Sequence, residues 1–254
     1  MVDREQTYSI TTSYSFFKPT DEGIDYLHNN FERVYAGDTS LTNICYSEQA
    51  HFQVEEQFVA LIEKGPKDGE DLLLEAAAAI ANNNGIKVFI VDGRDYLYPT
   101  TNERSQLDLS HEIVTDLFGA ISESDSIDEV KLVNLHICYE DSLNQLIEGL
   151  GERLSEKEGV LKLNMENCTI TDDAFDMIIS TVSNAHIRIS NCNLLDDNAL
   201  VTALRQHAAQ KYPEDTTLKF IVIDNCNLTA ASVTELVELD KNQNRFHIKL
   251  IPRL

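Results

Sequence analysis

Asn167-Cys168-Thr169-Ile170, Asn191-Cys192-Asn193-Leu194 and Asn225-Cys226-Asn227-Leu228 are three copies of one phrase. Each is entered through alternating aliphatic residues, Leu163/Met165, Ile187/Ile189 and Ile221/Ile223, and each is left through a turn containing Thr or Asp into a helical pattern. Period-two alternation marks a half-buried strand, and apolar residues three and four apart mark a helix, so the phrase sits at a recurring strand-to-helix turn. One such unit cannot cover its own apolar face and must stack on its neighbours to make a core. The expected fold class is α/β, a parallel sheet lined on one side by helices.

The units around the phrase extend in both directions. Residues 132–138 read as a strand, and Ser142 with Gln145 predicts a capping box ahead of Leu143, Leu146, Ile147, Leu150 and Leu154. Taken with Cys138, the phrase cysteines are 30, 24 and 34 residues apart, within the range of helix-containing solenoid repeats. Residues 247–251 close the chain as a last strand. Upstream, strands are expected at residues 8–17, 41–46 and 87–91, and helices at 21–35, 55–64, 70–82 and the second half of 107–121, the last after a cap at Ser110. Gly65-Pro66-Lys67-Asp68-Gly69 is a breaker, Asn83-Asn84-Gly85 is a helix stop, residues 94–106 read as a long loop, and residues 122–128 as an exposed polar stretch. The chain is therefore read as one array over residues 1–254, irregular in 1–128 and clear in 129–254.

Composition bounds what such an array does. With 43 acidic against 20 basic residues and a net charge of −23, the chain repels phosphate backbones and anionic membranes, so neither nucleic acid nor membrane insertion is expected. The first residues carry charge in place of an apolar signal region, and the longest apolar run, residues 76–81, is too short to span a bilayer, which predicts a cytoplasmic protein. Five widely spaced cysteines without a Cys-x-x-Cys pair suggest neither a disulfide framework nor a zinc ribbon.

The form apolar-x-apolar-x-x-Cys-x-apolar, with a further apolar residue three positions upstream, resembles the leucine-rich repeat in its ribonuclease-inhibitor-like version, where Cys or Asn holds the fixed polar position. Leu163, Met165, Cys168 and Ile170 fit it, as do Ile187, Ile189, Cys192 and Leu194; Leu218, Ile221, Ile223, Cys226 and Leu228 fit it best. Val130, Val133, Leu135 and Cys138 fit as far as the cysteine, and Val88 and Ile90 with Gly93 at the cysteine position are assigned by phase. The resemblance implies a curved solenoid, or horseshoe, with the sheet on its concave side, and a protein partner docked on that face and the adjacent loops. A short, irregular array with no appended catalytic motif also resembles the repeat proteins that intracellular bacteria inject into host cells, which would place its action in a host cytosol.

In this phase the outward-pointing residues are Lys162, Asn164 and Glu166; His186, Arg188 and Ser190; Phe220, Val222 and Asp224; Leu132, Asn134 and His136; Lys87, Phe89 and Val91; and His247 and Lys249. Among them Phe89, Asn134, His136, Lys162, Asn164, Glu166, His186, Arg188, Phe220, Val222, Asp224 and Lys249 are the expected partner-binding set. Their charge is near neutral or weakly basic, so the negative charge belongs to helices and loops.

Other constellations are weaker. Cys45 with His51 has no glycine-framed nucleophile or oxyanion element beside it. His136, His186 and His247 on adjacent units would form a row, but no carboxylates or cysteines converge on it as metal ligands. Asp172/Asp173 and Asp196/Asp197 stand where helices begin and suit the helix dipole better than acid–base catalysis. Gly149-Leu150-Gly151 lies inside a helical pattern and lacks the strand that precedes a dinucleotide loop. The expected function is non-catalytic protein binding without cofactor or metal; the alternative is an enzyme whose catalytic part lies in residues 1–128, with the repeats recognising its substrate.

Overall fold

The structure is a computed structural model, and it describes residues 33–34, 36–47, 51–54, 57–59, 78–93, 96–97, 104–105, 112–181, 185–209, 219–242 and 246–251. Its main sheet contains β1 (Asn43–Ser47), β2 (His51–Val54), β3 (Gln57–Val59), β4 (Val88–Asp92), β7 (Glu129–Val133), β9 (Leu161–Glu166), β11 (Ala185–Ser190), β13 (Lys219–Asp224) and β14 (Phe246–Ile251), in the order β14-β13-β11-β9-β7-β4-β1-β2-β3. From β1 to β14 the six consecutive pairings are parallel, whereas β2 and β3 add antiparallel. A second sheet runs alongside the strand ends, β8 (His136–Ile137), β10 (Thr169–Ile170) and β12 (Asn193–Leu194), in the order β12-β10-β8. Helices α1 (Glu112–Ser122), α2 (Asp141–Glu156), α3 (Asp172–Thr181), α4 (Asp197–Ala209) and α5 (Ala230–Asn242) alternate with the strands, and each packs on the next.

The parallel register stacks like on like. Ile44, Phe89, Val130, Leu163, Ile187, Ile221 and Ile248 form one row facing the helices, and Val91, Leu132, Met165, Ile189, Ile223 and Leu250 form the next. These rows share one continuous core with Leu146, Ile147, Leu150, Ala174, Ile178, Leu200 and Leu204 of the helices. Each fully buried aliphatic contributes roughly 1.5–3 kcal/mol, so the two rows are the main stabilising element.

Each main-sheet strand from β7 to β13 is followed by an asparagine with left-handed backbone: Asn134, Asn167, Asn191 and Asn225 have φ of 56°, 53°, 54° and 53°. Asparagine tolerates this region better than other residues with a Cβ, and the reversal turns the chain from the sheet toward its helix. The N–H of each asparagine donates to the last carbonyl of the following strand, Glu166, Ser190, Asp224 and Ile251 respectively, at 2.9–3.1 Å. Gly93 continues the same ladder, donating to the Val133 carbonyl at 2.9 Å. A Cβ at Gly93 would lie 2.4 Å from Leu135 Cδ2 and 2.9 Å from the Asn134 oxygen, so close approach accounts for glycine there.

The ladder corrects the phase expected for two units. Asn134, not Cys138, is in step with the later turns, and Leu135 holds the place occupied elsewhere by cysteine. Accordingly Val130 and Leu132 face the core and Val133 does not, while on β4 Phe89 and Val91 face the core and Gly93 stands at the asparagine position. Phe89 is fully buried, edge-on to Phe118 of α1 with ring centroids 6.2 Å apart.

Local expectations met mixed outcomes. The strands expected at 41–46 and 87–91 correspond to β1 and β4, and residues 78–82 are helical up to the stop at Asn83, whose Oδ1 accepts the Gly85 N–H at 2.8 Å. Residues 57–59 are strand where a helix is expected: Phe52 pairs with Val59 across a two-residue connection, and strand pairing of aromatic and β-branched residues overrides the helical spacing. The expected loop 94–106 carries a short antiparallel pair, β5 (Tyr96–Leu97) with β6 (Arg104–Ser105). The capping box is replaced by an N-cap at Glu140 without a side-chain cap bond, and Ser142 is buried within the first turn of α2. Ser124 and Ser126 of the expected exposed stretch are buried, Ser126 Oγ bonding the Asn83 and Ile86 carbonyls at 2.7 and 2.8 Å. The expected strand 8–17, most of the helix 21–35, residues 60–64 and 70–77, the breaker 65–69 and the cap at Ser110 lie outside the described residues.

The left-handed turn makes a specific prediction. Asn167→Ala should lower the unfolding free energy by about 1 kcal/mol in urea titration, and Asn167→Gly should stay close to wild type. Equal stability of the alanine and glycine variants would mean that the left-handed turn is not what asparagine supplies.

Candidate functional site

Alternation leaves one face of the sheet directed away from the helices. The register sets its side chains in three rows. Glu129, Lys162, His186, Phe220 and His247 stand abreast in the first; Lys131, Asn164, Arg188, Val222 and Lys249 in the second; Val133, Glu166, Ser190, Asp224 and Ile251 in the third. At β4 this face is covered, with Ile90 and Asp92 buried, so the accessible part runs from β7 to β14.

The first row is aromatic from β11 to β14. The Phe220 ring meets His186 edge-on at a centroid distance of 4.9 Å and His247 at 5.4 Å, and Phe220 is 41% exposed despite both contacts. Three strands supply this triplet side by side because parallel register brings position two of β11, β13 and β14 together. His247 Nδ1 lies 3.8 Å from Asp240 on α5.

Hydrogen bonds hold the second and third rows in shape. Arg188 donates through Nη2 to Asp224 at 2.6 Å and through Nε to Ser190 Oγ at 2.9 Å, which fixes the guanidinium plane across β11 and β13. Asn164 Nδ2 donates to Glu129 at 2.7 Å, and Lys131 Nζ lies 3.3 Å from the same carboxylate. Lys162 Nζ stands 3.5 Å from Asp128. Such exposed pairs contribute little stability, and their chief effect is to orient the long side chains.

Nine of the twelve expected partner-binding residues share this face: Lys162, Asn164, Glu166, His186, Arg188, Phe220, Val222, Asp224 and Lys249. Three do not. Phe89 is in the core, as the shifted phase of β4 requires. Asn134 sits in the turn after β7, with Nδ2 bonded to Asp92 at 3.0 Å. His136 pairs with Thr169 in the second sheet, so the expected row of His136, His186 and His247 does not form; Phe220 stands between the other two. Glu129, Lys131 and His247 belong to the face and are absent from the expected set. The signal for the first two was available in Asn134, which matches the phrase asparagines.

The phrase cysteines are packing groups. Cys168 Sγ lies 3.3 Å from the Leu132 carbonyl, and Cys192 and Cys226 repeat the contact on Met165 and Ile189 at 3.5 Å, each also touching a carbonyl of its own strand. The thiol of Cys192 is pushed up to about 12, first by its contact with Cys168 and further by burial. Cys226 is raised by its contact with Cys192 and by burial. Cys192 and Cys226 so held are poor nucleophiles at neutral pH, whereas the thiol of Cys168 is lowered by its contact with Cys192. In the first half of the chain, His51 pairs with Ser47 and Cys45 with Gln53. Among the described residues no three His, Cys, Asp or Glu converge to hold a metal ion, and no helix is long and apolar enough to cross a membrane.

The acidic pairs act at helix starts. Asp196 accepts the Asn198 N–H at 2.9 Å as the cap of α4, and Asp173 accepts that of Ala174 at 3.0 Å. Asp197 accepts the Thr229 N–H of the next unit at 2.6 Å; burial raises its carboxyl, and the bonds from Thr229 and Ser232 more than offset this, holding it low. Gly149 lies within α2, where a Cβ would come 2.8 Å from Ser122 of α1, so close helix packing explains its glycine.

One buried cation interrupts the core. Lys219 begins β13 in line with Ala185 and Phe246, is 1% exposed, and donates to the Ile179 carbonyl near the end of α3. Burial lowers its ammonium to about 8.

No protein-family model matches the chain, and no curated protein matches it significantly.

Lys219 supplies a test of these electrostatics. Between pH 8 and 10.5 the unfolded chain binds a proton here that the folded chain has released, so this residue adds stability as pH rises through that window. The shift corresponds to about 3 kcal/mol of unfavourable burial at neutral pH. Replacing Lys219 by Met removes both that cost and the bond to Ile179, so a net gain of about 1–2 kcal/mol at pH 7 is expected, narrowing as pH rises above about 8 and reversing toward 10.5, where only the lost bond remains. A pH-independent difference in urea unfolding would show that Lys219 is not buried as an ammonium.

Proposed function

We propose that this chain is a non-catalytic protein-binding module, a ribonuclease-inhibitor-like leucine-rich-repeat array that docks its partner on the open face of the main sheet. The asparagine turns, the thiols placed against the carbonyls of the preceding strand and the alternation of strand and helix support the repeat reading. In such arrays curvature of the stack makes the sheet the concave side, where one continuous surface is offered to a ligand.

The observation that carries the binding reading is Phe220. A large apolar ring 41% exposed on the sheet face, one strand in from the β14 edge, flanked by two histidines and framed by oriented charges, has the composition of an interface centre. The same face offers no nucleophile in contact with a base. A cytosolic site of action and delivery into a host cell belong to this proposal as its setting, and neither cofactor nor metal is part of it.

Affinity capture from lysate, quantified by mass spectrometry, tests the assignment. The wild type should enrich a partner that Arg188→Glu combined with Phe220→Ala loses by about tenfold or more, while Arg205→Glu on the helical side retains it. Retention by the sheet-face variant would exclude this face as the principal site.

A further inference from the structure

Resting on that reading, we infer that the segment bound across β9, β11, β13 and β14 is a short extended peptide rich in carboxylates and carrying one apolar side chain for Phe220. Over these four strands the first two rows hold eight side chains: Lys162, His186, Phe220 and His247, then Asn164, Arg188, Val222 and Lys249. Three are permanent cations and none is a carboxylate, in a chain where acidic residues outnumber basic ones 43 to 20. The sign of the charge is inverted locally. Among the described residues carboxylates return in the third row, as Glu166 and Asp224, and at the margins, as Glu129, Asp128 and Asp240.

The inversion decides the chemistry at contact. At physiological ionic strength fields fade within about 8 Å, so the distant helices weigh less on a docked ligand than the rows beneath it. Lys249 is exposed and has no ion-pair partner among the described residues. Lys162 and Arg188 are about half exposed; their pairs with Asp128 and Asp224 are of the weak, exchangeable surface kind. The bonds to Asp224 and Ser190 use two of the guanidinium's five N–H groups and leave the others for a carboxylate of the ligand.

Size and shape follow from the register. Four strands spaced about 4.8 Å apart span roughly 14 Å, the reach of about four to five extended residues. Alternate side chains of an extended peptide face the sheet, so five residues lying across the strands would set two carboxylates over Lys162 and Lys249 and the central apolar side chain at the Phe220 ring, which the two imidazoles flank. A nucleic acid would offer phosphates to the same cations, but its charge continues past the strip onto the acidic surroundings, where a short peptide need not follow.

Fluorescence anisotropy with a labelled peptide of glutamates and aspartates around one central phenylalanine tests the inference on the full chain. Saturable binding is expected, weakening as salt rises, and lost by about tenfold or more in Lys162→Gln combined with Lys249→Gln. Phe220→Ala should weaken the phenylalanine peptide and leave a glycine-centred analogue unchanged. Both changes are at exposed positions, and coincident urea transitions verify that the fold is intact.

Equal affinity for a lysine-for-glutamate analogue, tighter binding of a single-stranded oligothymidine, or no saturable binding would each overturn it. So would concentration-dependent dimerisation in sedimentation that the double variant abolishes, because the strip would then be covered by a second copy. A partner captured by the wild type and lost by the Arg188/Phe220 variant, with no peptide binding, leaves the interface standing and removes only its acidic ligand.

Discussion

The strand-end asparagines are the constraint on which the rest of the structure depends. Four times the chain passes through left-handed backbone at the same point of the repeat, and each time the turning N–H is held by the last carbonyl of the next strand. Because that bond joins one unit to its neighbour, the turn and the parallel register are a single device: a shift of one strand by one residue would break the ladder and move its aliphatics out of the core. The cysteines fit the same corner. A small, weakly polar side chain fills the space inside the turn and gives the preceding strand's carbonyl a soft partner, which neither a bulky aliphatic nor a strongly polar group would do as well.

The second sheet extends the register past the turn. Thr169 lies between His136 and Asn193, and Ile170 between Ile137 and Leu194, so the chain remains paired as it approaches each helix. Where no fourth strand follows, Asn227 takes its place: its Oδ1 accepts the Leu194 N–H at 2.7 Å and its Nδ2 donates to the Leu194 carbonyl at 3.0 Å. An amide side chain thus substitutes for a peptide group at the end of a ladder.

These interactions leave the opposite face of the sheet without a structural duty from β9 to β14. Its residues are positioned by the sheet register, and the exposed ion pairs among them add little stability. The gathering of His186, Phe220 and His247 into one aromatic row, and of Lys162, Arg188 and Lys249 around it, arises entirely from register between segments that are 24 to 34 residues apart in the chain.

Alternating aliphatics and the repeated Asn-Cys phrase were sufficient to read the strand–helix alternation of residues 129–251 and nine residues of the open face, because both periods are written locally. The same evidence misplaced β4 and β7. After β7 the cysteine of the phrase is replaced by Leu135 and Cys138 lies three residues further on, so a count made on cysteines shifts the face, while Asn134, required by its backbone conformation, keeps the true phase; after β4 glycine stands at the asparagine position and no cysteine follows it. The burial of Lys219 and of Ser126 depends on neighbours distant in sequence, the Ile179 carbonyl for one and the Asn83 and Ile86 carbonyls for the other, and no local period records it. What the sequence alone determined is the unit and its inward face, since those follow from periodicity and turn chemistry. Which outward side chains meet, and that a cationic, aromatic strip crosses an acidic protein, only the tertiary register decided, because hydrogen bonding between parallel strands sets who stands beside whom.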